Sequence, residues 1–155
     1  MDNTSVLKSV REFFVEDFAL ARANLASLRN DLVKKKILIT GGTGYFGKWL
    51  TLLLSDIGID FDLNFEIVVL SRRASCSRKE LPWIFERENV RTIDCDILEL
   101  HKLDLQCDFI IHAATEASEK LNKENPMLMF EVAAMGTAEV LRFAKRSGAK
   151  KVLLT

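Results

Sequence analysis

KILITGGTGYFGKWL, residues 36–50, is the stretch on which the fold turns. Apolar Ile37-Leu38-Ile39 runs into Thr40-Gly41-Gly42-Thr43-Gly44-Tyr45-Phe46-Gly47, and the amphipathic segment from Lys48 to Leu54 follows at once. The order is strand, tight glycine turn, helix. Each glycine has its own task. Gly41 permits the sharp turn off the strand, and Gly44 lets backbone N–H groups approach an anion with no Cβ in the way. Gly47 lets the new helix pack closely on the strand it has left. The unpaired amides and positive dipole end of that helix then face the anion. A dinucleotide pyrophosphate suits this arrangement, and the flanking strand and helix favour it over a glycine-rich turn with no ligand.

Downstream, Phe65-Glu66-Ile67-Val68-Val69-Leu70 reads as the second strand, after a helix from Tyr45 to about Asp56 and a loop over residues 57–64. An acidic residue at the end of such a strand hydrogen-bonds the adenosine ribose of NAD and repels a 2′-phosphate. This chain has Ser71-Arg72-Arg73 there, with Arg78 and Lys79 close behind. Arginine pairs with phosphate through charge-assisted bidentate bonds, which tilts the expectation towards NADP. A solvated basic loop is the plainer alternative, and Arg72 can equally stack on the adenine of NAD.

A short helix over residues 78–88, broken or started by Pro82, leads to the third strand, Val90-Arg91-Thr92-Ile93, and then to Asp94-Cys95-Asp96-Ile97. The fourth strand is Cys107-Asp108-Phe109-Ile110-Ile111-His112, ending in Ala113-Ala114-Thr115. Small residues there let the backbone lie against a ligand at the carboxyl ends of the strands. His112 reads as a structural hydrogen-bonding residue more readily than a catalytic one. Residues 116–122 and 126–147 have helical patterns, with Pro126 suited to a first turn and Gly148 to the position after the last. Met127, Met129 and Met135 are expected as core filler. Lys150-Lys151-Val152-Leu153-Leu154-Thr155 begins a fifth strand, whose Val152-Leu153-Leu154 are expected in the core. βαβαβ followed by βαβ predicts an α/β, Rossmann-like doubly wound parallel sheet of order 3-2-1-4-5, incomplete at its C-terminal end. The expectation is of a chain truncated in the fifth strand.

Residues 1–35 stand apart. Asp2, Asn3, Thr4 and Ser5 are N-cap candidates, and no glycine or proline interrupts residues 5–33. Val6, Val10, Phe14, Phe18, Ala21, Leu25, Leu28 and Leu32 recur every three or four residues, which predicts one long amphipathic helix. Lys34-Lys35-Lys36 closes it favourably. Packing of this N-terminal helical extension on its own domain is the expectation; a subunit-contact helix is the alternative, since Phe13 adds apolar surface. The division is thus residues 1–35 and residues 36–155.

The spacing of Thr40, Gly41, Gly44 and Gly47 resembles the extended short-chain dehydrogenase/reductase superfamily, and within it the NAD-dependent epimerase/dehydratase family that acts on nucleotide sugars. Matches at Asp94–Ile97, His112–Thr115 and Gly136–Thr155 extend the resemblance over residues 36–155. It implies an NAD(P) cofactor held by Thr40, Gly41, Thr43, Gly44, Tyr45, Phe46, Gly47, Ser71, Arg72 and Arg73. It implies that Asp96 and Ile97 meet the adenine, where Asp96 also suits a simple turn cap. It implies that Ala113 and Ala114 contact the cofactor, with Thr115 towards the nicotinamide. Ala133-Ala134 replace the Asn-Val that the family carries before Gly136-Thr137, so the support given by that asparagine is not carried over.

The resemblance also implies a catalytic Ser or Thr after the fifth strand and a Tyr-x-x-x-Lys pair beyond it. In that family the tyrosine is general base towards a sugar hydroxyl, and the lysine lowers its pKa. The single tyrosine here is Tyr45, with Trp49 where the lysine would stand, so the chain has no such pair and no assignable catalytic residue. By itself it is expected to be inactive. A non-catalytic nucleotide-binding or interaction module is the alternative.

Composition sets the outer bounds. The 155 residues are 48% hydrophobic and 28% charged, with 22 basic and 22 acidic residues, so no net field draws the chain to nucleic acid or membrane. Met1-Asp2-Asn3-Thr4 does not resemble a signal peptide, and no apolar run reaches the length of a membrane span. Cys76, Cys95 and Cys107 lack C-x-x-C spacing and, with His101 and His112, suggest reduced thiols in a cytoplasmic protein without a metal site. A nucleotide-sugar substrate and a homodimer are the partners that the resemblance allows.

Overall fold

Ile37, Leu38, Ile39 and Thr40 are each at most 3% exposed, as a central parallel strand covered on both faces requires. They belong to β1 (Lys36–Thr40) of a computed structural model that describes residues 2–114 and 123–155. The other strands are β2 (Glu66–Ser71), β3 (Val90–Asp94), β4 (Phe109–His112) and β5 (Lys151–Leu154). All pair in parallel, in the order β3-β2-β1-β4-β5 that the sequence predicts. Thr40 lies level with Leu70 on one side and His112 on the other, which brings the ends of the three inner strands to one rim.

Alternation along the strands sends side chains into two cores. Ile37, Ile39, Ile67 and Val69 face the N-terminal helices α1 (Asn3–Phe13) and α2 (Val15–Leu25), with α4 (Tyr45–Asp60) and α6 (Pro82–Phe85) in the same layer. Leu38, Val68, Leu70 and Ile110 face α7 (Pro126–Ser147) and a 3₁₀ turn over Ile97–Lys102. The remaining short helices are α3 (Arg29–Leu32) and α5 (Ala74–Glu80). No helix among the described residues is long and apolar enough to cross a membrane.

Several expectations need correction. Met127 and Met135, expected as core filler, are 63% and 53% exposed. The N-terminal segment is not one helix: it bends at Phe14 (φ −109°, ψ 35°) and again through a 3₁₀ turn at Ala26–Leu28. A straight helix of that length would run roughly 43 Å, longer than the roughly 40 Å width of a domain this size, so the bends keep it in contact. Its cap is Asp2, whose carboxylate accepts from the Ser5 amide at 2.8 Å. Phe14 and Phe18 meet Trp49 of α4 edge-on, and Phe18 is buried, so the segment packs on its own sheet layer.

The helix after the glycine turn continues through Gly58 to Asp60, because Gly58 lies flat against the Phe65 ring and Asn89, where a Cβ would come within 2.9 Å of each. Glycine here serves packing and does not end the helix. Finally, Leu153 and Leu154 are 57% and 50% exposed, and only Val152 is half-buried. As an edge strand β5 has β4 on one side alone, so the two-sided burial expected of it does not apply. The expected helix over 116–122 lies outside the described residues.

A buried charge cluster ties the N-terminal segment to α4. The Asp56 carboxylate, inaccessible to solvent, accepts from Arg11 Nε at 2.8 Å, from Arg22 at 3.3 Å and from Arg87 at 3.2 Å. Asp60 pairs with Arg22 as well. Burial pulls the Arg87 pKa below its ordinary value, and Asp56 opposes that shift.

Candidate functional site

At the carboxyl rim of β1 the chain must turn without leaving the sheet. Gly41 does so at φ +68°, a left-handed conformation natural to glycine, and its amide still donates to Leu70 O at 2.9 Å. A Cβ at Gly41 would stand 2.6 Å from the backbone of Ala113 and Ala114, so the turn and the end of β4 are in direct contact. Gly42 presses on Val69 in the same way. Gly47 brings the first turn of α4 onto the backbone of Gly41 and Gly42, where a Cβ would meet Gly41 O at 2.3 Å. The helix therefore packs on the turn itself, more than on the strand.

Gly44 differs from its neighbours. It is the N-cap of α4 at φ −72°, an ordinary angle for any residue, and is exposed. Among the described residues a Cβ there would meet Gly41 O alone, at 3.2 Å. That contact is tight but well short of the 2.3–2.6 Å clashes at Gly41 and Gly47, and no side chain caps the helix. Open amides at the positive end of a 16-residue helix are an anion site by construction.

That helix end opens onto a cleft of about 220 Å³ lined by Gly41, Thr43, Gly44, Leu70, Ser71, Arg72, Cys95, Asp96, Ile97, Ala113 and Ala114. Thr43 Oγ1 donates to Ser71 Oγ at 2.7 Å, tying the turn to the end of β2. Asp96 caps the 3₁₀ turn, accepting from the Leu98 amide at 2.9 Å, and borders the cleft as well. Both of its expected roles are thus geometrically open to it.

Other predicted residues lie elsewhere. Thr40 is fully buried beneath the turn and bonds His112 Nδ1 at 2.7 Å. Tyr45 and Phe46 are 84% and 69% exposed, packed edge-on against each other outside the cleft lining. Arg73, the N-cap of α5, is not among the lining residues, so the basic pair contributes one arginine to the cleft. Thr115 lies outside the described residues.

His112 is 6% exposed, held between Thr40 and Thr137 Oγ1, the latter 3.3 Å from Nε2. Burial lowers its pKa, and a neutral imidazole offers one donor and one acceptor to the two hydroxyls. It is a brace between β4 and α7, as its place at the end of a buried strand suggested. Gly136, next to Thr137, lets α7 approach Ile97, where a Cβ would meet Ile97 Cγ2 at 3.2 Å.

Sequence reasoning missed Leu70 and Cys95 in the lining. Cys95 lies just past the end of β3 and beside Asp96, so the end of the strand alone would have placed it at the rim. The Cys95 thiol is pushed up in pKa by burial and then by Glu99 and Asp96, so it is a neutral wall residue.

Known proteins resemble this chain in sequence and in fold. UDP-glucuronic acid decarboxylase 1 of Danio rerio is 32% identical over 120 residues, which are 77% of this chain and 27% of that protein. UDP-N-acetylglucosamine 4,6-dehydratase (inverting) of Campylobacter jejuni is 31% identical over 123 residues, 77% of this chain and 35% of that one. The solved structure of DesIV (dTDP-glucose 4,6-dehydratase) from Streptomyces venezuelae with NAD and TYD bound superposes with a TM-score of 0.62 at 25% identity, covering 76% of this chain and 38% of that one. The chain spans about a third of the length of such relatives. A match that begins one residue into β1 and continues through β5, over residues 37–155, makes the chain a member of the NAD dependent epimerase/dehydratase family.

Proposed function

We propose that this chain binds a nicotinamide dinucleotide in the cleft at the rim of β1, β2 and β4, and forms the cofactor-binding portion of a nucleotide-sugar epimerase or dehydratase. The observation that carries the proposal is Gly44, the exposed N-cap at the uncapped mouth of α4, where a Cβ would crowd Gly41 O less severely than at Gly41 or Gly47 and would take the space a phosphate needs. Thr43, Gly44 and the first amides of α4 would hold the pyrophosphate. Ser71 and Arg72 would take the adenosine ribose, Asp96 and Ile97 the adenine, and Ala113, Ala114 and Thr115 the nicotinamide side. When bound, such a cofactor supplies reversible hydride transfer to a sugar carbon. Arg72 in the cleft wall supports a modest preference for NADP over NAD.

The names of the relatives, decarboxylases and dehydratases of nucleotide sugars, support a substrate of that class. A cytoplasmic location and a homodimer accord with this reading. This chain by itself would not turn over substrate, because its one tyrosine, Tyr45, has Trp49 and not lysine four residues on. That same fact favours the second reading, a non-catalytic nucleotide-binding module; turnover of UDP-sugar by the purified chain would overturn both the inactivity and the second reading.

Calorimetry tests the binding proposal. NADH and NADPH should bind the wild-type chain, and Gly44→Val should abolish binding while leaving the circular dichroism spectrum unchanged. Equal affinity in wild type and variant would remove the assignment.

A further inference from the structure

α5 begins three residues after β2, and Ser71 and Arg72 at that junction line the cleft. The residue at its N-cap, Arg73, makes no side-chain cap bond. The cap comes from the neighbouring strand: Asp94, last residue of β3, accepts from the Ser75 amide at 2.7 Å. Asp94 is level with Ser71 across the β2–β3 pairing, and Ser71, Arg72 and Cys95 around it all line the cleft. The Ser75 amide is thus already served by a carboxylate. Hydrogen bonds from Ser75 also hold the Asp94 pKa below its ordinary value, so the carboxylate is ionised at neutral pH.

We propose that Asp94, which adjoins the lining residues Ser71 and Cys95 without itself lining the cleft, is a specificity-determining residue, a carboxylate on β3 that opposes a 2′-phosphate on the adenosine ribose and so limits the pull of Arg72 towards NADP. The sequence has no acidic residue at the end of β2, where discrimination is ordinarily sought. The charge comes instead from the next strand in the sheet. A 2′-phosphate there would meet the charges of both Arg72 and Asp94, and the balance between them sets the ratio of affinities. The inference rests on the dinucleotide proposal above.

The experiment measures dissociation constants for NADH and NADPH by calorimetry on the whole chain. Asp94→Asn keeps an oxygen for the Ser75 amide and removes the charge; Asp94→Ser does the same with a shorter side chain, and Asp94→Glu keeps the charge. The two neutral variants should raise the preference for NADPH over NADH by about fivefold, the size of a like-charge contact in a partly solvated setting. Asp94→Glu should leave the ratio near wild type, and Arg72→Ala should move it the other way. A merely structural cap would weaken both ligands alike. An unchanged ratio in Asp94→Asn and Asp94→Ser, with NADH still bound, would overturn the role of Asp94 alone. Failure of wild type to bind either nucleotide would overturn the dinucleotide proposal and this inference with it.

Discussion

His112 shows how a residue that invites a catalytic role is assigned by its neighbours. Both ring nitrogens are taken by threonine hydroxyls, Thr40 beneath the turn and Thr137 on α7, and the ring is nearly sealed from solvent. Burial disfavours the imidazolium, so the folded pKa lies below the ordinary value of 6.5. The unfolded chain then binds the proton more readily between those two values. Stability from this group is complete above 6.5 and is lost as pH falls through it towards the folded pKa. His112→Gln should therefore flatten the fall in melting temperature between about pH 7.5 and 5. Parallel curves for the two proteins would show that His112 does not titrate in that window. The glycines teach the same lesson in reverse. Gly41 and Gly47 are demanded by severe backbone contact and Gly42 by the Val69 side chain, while Gly44 meets only Gly41 O at 3.2 Å, although in the sequence Gly41, Gly44 and Gly47 form one evenly spaced motif. Spacing located the turn; only the packing around each Cβ position separates the glycines that build it from the one that leaves room.

At the scale of elements, the strands were readable because a buried parallel strand announces itself as an unbroken apolar run. Ile37–Ile39 and Ile67–Leu70 need no tertiary context. The N-terminal helix was misread because its bends have no local cause: Phe14 is an ordinary residue that turns the chain by lodging against Trp49, 4.7 Å between ring centroids. Asp56 was invisible for the same reason, since its three arginine partners come from residues 11, 22 and 87. A buried carboxylate with three cations around it is stable only as a set. Removing it leaves Arg87, whose side chain is 8% exposed, with uncompensated charge. Asp56→Ala should cost about 3–5 kcal/mol in denaturant unfolding. Asp60→Ala, at the exposed end of the same cluster, should cost less than about 1 kcal/mol. Similar losses at the two positions would mean that burial does not govern this network.

Over the whole molecule, the family match begins at residue 37, yet the structure does not divide there. Phe18, 3% exposed, sits in the same core as Ile37, Ile39, Ile67 and Val69, and Leu7, Val10, Phe14, Leu25 and Leu32 pack around it. The segment before β1 thus forms part of the layer that covers one face of the sheet and fixes the back of α4, the helix whose front end faces the cleft. Its removal would uncover Trp49 and Ile84 and leave Asp56 with Arg87 as its sole arginine partner among those described. Each large apolar side chain exposed in this way forfeits roughly 1.5–3 kcal/mol, and in a domain of this size each kilocalorie lowers the melting temperature by roughly 2–4 °C. Deletion of residues 2–33 should then lower the melting temperature by more than about 10 °C. The cofactor arm of the same experiment is informative: NADH should still protect whatever fraction remains folded, because none of the cleft residues lies in the deleted segment. A truncated chain that melts with the wild type would show the segment to be an appendage. The core contacts of Phe18 and the charges on Asp56 would then have to be worth far less than their burial implies.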